Sequence, residues 1–157
     1  GIKEKTMTKS SLTIILALLC SPALADDAGD CMTEALYFEA RSEGAVGMLA
    51  VANVILQRVK SPKFPNHVCS VVHDGYMWGN VPVRDACAFS YWCDGKSDKV
   101  PDNAIKLEIE YIVKFAQEGA TVSAVEGATH YHAWYVNPEW KGFIARIGNH
   151  LFYKGVE

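Results

Sequence analysis

The 157 residues are 50% hydrophobic and 21% charged, with a formal net charge of −3. That balance fits a single globular domain and excludes a disordered or collagen-like chain. No Lys/Arg cluster is present, so nucleic acid is not an expected partner, because phosphate binding requires a basic surface.

Residues 1–25 read as a leader, with Met7 as the natural start. Lys9 supplies positive charge, residues 12–20 form an apolar run, and residues 21–25 end in an A-x-A cleavage site, the pattern of a secretory signal peptide. The run falls short of the roughly 20 residues a membrane span needs. Cleavage after Ala25 leaves residues 26–157 with 12 basic and 17 acidic residues, a net charge of −5. The product is expected in the periplasm or cell envelope, as a monomer without stable membrane insertion. Its four cysteines, Cys31, Cys69, Cys87 and Cys93, are an even set in an exported chain. Three disulfide connectivities are open; a local Cys87–Cys93 staple with a longer Cys31–Cys69 bridge is favoured.

Asp30 is placed to cap a helix through residues 31–41, which Gly44 and Gly47 interrupt. Residues 46–60 are apolar almost all round, so this helix should form the centre of the domain, ended by Pro62 and Pro65. Residues 68–73 have room for one helical turn. Residues 74–100 are rich in Gly, Asp and aromatics without periodicity, which predicts a long functional loop. A helix starts near Pro101, carries Ile105, Ile109, Ile112, Val113 and Ala116, and stops at Gly119. Residues 128–136 alternate as a strand, residues 138–140 start a short helix, and residues 150–154 form a closing strand. The sum is a mainly helical α+β domain.

Two carboxylates in the stretch ALYFEARSEG, Glu39 and Glu43, share one face at helical spacing. Either they form a solvated charged face, or one carboxyl is desolvated for acid–base work. His130 and His132 point to one face of their strand, and with His150 or Glu39 they would make a zinc set. Against that, no H-E-x-x-H helix is present. Tyr76, Trp78, Phe89, Tyr91, Trp92, Trp134, Tyr135 and Trp140 either stack on sugars or fill a core.

The set EARSEG, AVANVILQRVKSPKFPNHVCSVV, CAFSYWCDG and ATHYHAWYVNPEWKGFIARIGNHLFYK resembles the SleB-type cell-wall hydrolase family, which includes spore cortex-lytic enzymes. The resemblance runs from about Cys31 to Lys154. Ser42 replaces the usual glycine of Glu-Ala-Arg-Gly-Glu, and Gln57 stands where Asn is frequent. The resemblance implies a lysozyme-like α+β fold for residues 26–157 and attack on peptidoglycan glycan strands. It implies lytic transglycosylase chemistry with one catalytic glutamate, matched by Glu39. No cofactor or metal is expected. Glu43, Phe89, Ser90, His130, Tyr131 and Tyr153 fall in matching motifs as substrate-groove residues. A zinc-dependent amidase using His130 and His132, or a non-catalytic wall-binding module, are the alternatives.

Overall fold

The computed structural model describes residues 26–157; the leader and its signal pattern lie outside the described residues. Helix α1 (Asp27–Ala40) is capped by Asp26, not by Asp30. The Asp26 Oδ1 accepts from Gly29 N at 3.0 Å, and Oδ2 accepts from Gln117 Nε2 at 3.0 Å. Asp27 and Asp30 fall in the first turn, where negative charge suits the helix dipole.

Helix α2 (Gly44–Lys60) begins two residues earlier than the apolar pattern predicts, and Gly47 lies inside it. Met48, Ala50, Val51, Ala52, Val54 and Ile55 are all buried, so the all-round apolar run does form the central helix. Against it pack α1, the one-turn α3 (Val68–Val72) and α4 (Ala104–Gln117). Asn103, rather than Pro101, caps α4, its side chain accepting from Lys106 N. Gly119, at φ +102°, ends the turn that follows. Bridges Cys31–Cys69 and Cys87–Cys93 give the favoured connectivity, the first tying α1 to α3.

The expected irregular loop contains a hairpin, β1 (Gly75–Trp78) and β2 (Val81–Cys87), turning at Gly79-Asn80. A 3-10 turn, Ser90–Cys93, follows it. A second antiparallel sheet has the order β3 (His130–Ala133), β5 (His150–Tyr153), β4 (Phe143–Ile147). Residues 138–140 form no helix, and Glu139 has φ +57°. So short a segment cannot repay helix nucleation. The fold is α+β and mainly helical. Among the described residues no helix is long and apolar enough to cross a membrane.

Candidate active site

A cleft of about 890 Å³ runs between the end of α1, the segment after β2, and the three-stranded sheet. Glu39, Ser90, His130 and Tyr131 all line it. Glu39 sits in the last turn of α1, half-buried, where the apolar neighbours that bury α1 also strip water from its carboxyl. Burial raises its pKa above the usual glutamate value, opposed by a hydrogen bond from Tyr131 and by the positive charge of Arg58. The Tyr131 hydroxyl donates to Glu39 Oε2 at 3.0 Å, a contact made across 92 residues of sequence by β3. Burial and the Glu39 charge push the Tyr131 hydroxyl well up, so it remains a donor.

Three predicted groove residues lie elsewhere. Glu43 shares no helical face with Glu39, because α1 ends at Ala40 and Glu43 stands at the N-cap position of α2, with no capping bond from its side chain. Its carboxylate accepts from Asn149 N at 2.8 Å and Asn149 Nδ2 at 3.2 Å, clamping the β4–β5 turn. Gly148 in that turn has φ +55°, and a Cβ there would strike Glu43 Oε2, so the position requires glycine. Phe89 is 2% exposed and belongs to the core, with the Arg58 guanidinium 5.3 Å from its ring centre. Tyr153 is buried, its hydroxyl sharing a 2.8 Å hydrogen bond with His132 Nε2. It orients a cleft residue without lining the cleft.

His130 and His132 do face the same side, as an H-x-H strand requires. Between them stands Trp140, edge-on to both rings at 5.1 and 5.6 Å. His132 Nδ1 bonds to Ala133 O, so both of its nitrogens are engaged, and His130 Nδ1 bonds to Thr129 Oγ1. Among the described residues no three His, Cys, Asp or Glu side chains converge as metal donors. The zinc set is not assembled.

The cleft also holds Arg58, Asp94 and Asp98, which the sequence reading missed, and His150, expected only as a possible third zinc ligand. Arg58 is buried, donates from Nε to Thr129 O at 2.7 Å, and lies over the rings of Phe64 and Phe89. A single arginine inside an apolar helix was the available signal, since arginine is almost never buried without a partner. Asp98 has its carboxyl raised by burial and by Glu34 and Asp94. His150 is held toward its neutral form by burial. Ser42, for its part, adopts no positive φ, so the loss of the usual glycine leaves the turn unstrained.

A family model described as Cell Wall Hydrolase matches residues 42–153. The chain belongs to that family. Glu39 precedes the matched span. The spore cortex-lytic enzyme of Halalkalibacterium halodurans is 36% identical over 129 residues, covering 77% of this chain and 33% of that protein. The enzyme of the same name from Bacillus subtilis is 31% identical over 131 residues, covering 77% and 35%. The chain thus spans about a third of the length of these two relatives. Among solved structures, the fold is similar to the catalytic domain of the germination-specific lytic transglycosylase SleB from Bacillus anthracis. That match has a TM-score of 0.63 at 28% identity, covering 84% of this chain and 98% of the other. The catalytic domain of Bacillus cereus SleB gives 0.57 at 28%, covering 85% and 94%.

Proposed function

We propose that this cell wall hydrolase domain cleaves peptidoglycan glycan strands as a lytic transglycosylase, with Glu39 as its one catalytic carboxyl. The observation that carries the reading is a half-buried carboxyl in the wall of a long cleft, raised in pKa and held by Tyr131. Such a group keeps its proton to higher pH than an exposed glutamate and is suited to general acid work. The name of the Bacillus anthracis neighbour supports the reaction type, and the family description supports a wall polymer as substrate.

Glu39 donates its proton to the glycosidic oxygen between N-acetylmuramic acid and N-acetylglucosamine as that bond breaks. The ring left behind has oxocarbenium character. Glu39, now a carboxylate, takes the proton of the sugar's own primary hydroxyl, whose oxygen closes on the anomeric carbon. An anhydro sugar results, no water is consumed, and Glu39 ends protonated as it began.

One observation favours a second reading. Asp94 and Asp98 line the same cleft, and either carboxylate could activate water for ordinary hydrolysis. The leader pattern supports export of the mature chain to the periplasm or envelope. Digestion of purified sacculi with the native enzyme and with Glu39→Gln tests the assignment. Soluble anhydro-ended fragments from the native enzyme alone support it, and reducing-ended fragments point to hydrolysis. Stem peptides released from intact strands would mean an amidase. Binding without soluble fragments would mean a non-catalytic module.

A further inference from the structure

The β1–β2 hairpin carries an apolar surface that the core does not use. Tyr76 is 78% exposed, Trp78 84% and Val81 65%. Trp78 pairs directly with Val81, so these two share a face, and Tyr76 lies two residues back along β1, at the irregularity in the pairing between Gly75 and Met77. Leaving two large aromatic rings in water gains the fold nothing, and such a patch marks a binding surface.

The hairpin adjoins the cleft. A hollow of about 340 Å³ is lined by Asp74, Gly75, Tyr76, Ala86 and Ala88, and Ala88 also lines the main cleft. The base of the hairpin is fixed in place: Ala88 N donates to Asp74 O at 2.8 Å, and the Cys87–Cys93 bridge ties β2 to the turn bearing Ser90 and Tyr91. The only charges within the hairpin, Arg84 and Asp85, stand beside each other at 3.9 Å and cancel. An uncharged aromatic face suits the C–H faces of sugar rings. It offers no basic attraction to an anionic membrane.

We infer that the hairpin is a sugar-stacking arm, in which Tyr76 and Trp78 hold the glycan strand beyond the sugars bound at Glu39. The inference rests on the proposed glycan substrate and extends its binding site past the cleft. An arm of this kind makes affinity depend on strand length, because short oligosaccharides end before they reach it.

The test uses Glu39→Gln protein, which keeps strands uncut, and peptide-free glycan strands fractionated by length. Adding Tyr76→Ser and Trp78→Ser should weaken binding of long strands about tenfold, equivalent to about 1.4 kcal/mol, while short oligosaccharides lose little. Trp78→Ser alone serves if the double variant does not fold. Unchanged long-strand affinity would overturn the inference, as would equal losses at both lengths. So would hairpin-dependent binding to phosphatidylglycerol vesicles or to a second protein with no effect on strands. Cleavage by Glu39→Gln would instead sink the catalytic assignment, leaving the length dependence to be read by itself.

Discussion

Tyr131→Phe removes one hydroxyl and keeps the ring that packs near His150 and Phe152. What is lost is the 3.0 Å bond to Glu39 Oε2. That bond favours the carboxylate, which forms as Glu39 gives up its proton, so it is stronger in the transition state than in the ground state. Hydrogen bonds to charged groups are worth about 1.5–3 kcal/mol, so the loss should lower kcat/KM by about 10- to 100-fold. The pH profile has a definite sign. Glu39 must begin protonated, so activity falls as pH rises through its pKa. Burial already raises that pKa and the Tyr131 bond lowers it, so removing the bond raises it further. The alkaline limb of Tyr131→Phe should therefore move to higher pH. Rates of sacculus clearing across pH, with urea unfolding as a control for folding, provide the assay. A full rate, or an alkaline limb displaced to lower pH, would refute the coupling between Tyr131 and Glu39.

The two disulfides should separate stability from binding. By loop length, losing Cys31–Cys69, which encloses 38 positions, should cost about 4 kcal/mol, and losing Cys87–Cys93, which encloses 6, about 2 kcal/mol. Paired Cys→Ser variants in urea melts check the order, and the Cys87/Cys93 pair should show the larger drop in glycan binding. Glu34 Oε1 accepts from both Tyr91 OH and His73 Nε2 at 2.8 Å. Glu34→Ala leaves both without that acceptor and should destabilise by about 1–3 kcal/mol in the same melts. Exhaustive chelation should leave sacculus clearing unchanged, since no metal donor set converges among the described residues; loss restored by zinc would reinstate the amidase.

The helical half of the fold was legible because its signals are local. The all-round apolar run of α2, Gly119 after α4 and the even cysteine set each report their surroundings within a few residues. Both hairpins carry a local signal too, the dipeptides Gly79-Asn80 and Gly148-Asn149 between paired strands, which the expectations above do not include. Pro82, Arg84 and Asp85 obscure the first by breaking the alternation of apolar residues in β2. The site was less legible, for a physical reason. Motif order singled out Glu39, but its hydrogen-bond partner Tyr131 is brought beside it by the packing of β3 against α2. Helical spacing misplaced Glu43 because α1 stops at Ala40, which sequence periodicity did not reveal. Arg58 and Asp98 reach the cleft only through tertiary contacts.

Digestion of sacculi in heavy-oxygen water, with mass spectrometry of the fragments, tests the central claim most directly. Attack by the sugar's own hydroxyl predicts anhydro-ended fragments, each lighter by one water than a hydrolysis product and free of heavy oxygen. Glu39→Gln should release none. Reducing-ended fragments carrying the label at the anomeric carbon would contradict the account, placing an activated water, and with it Asp94 or Asp98, in the reaction.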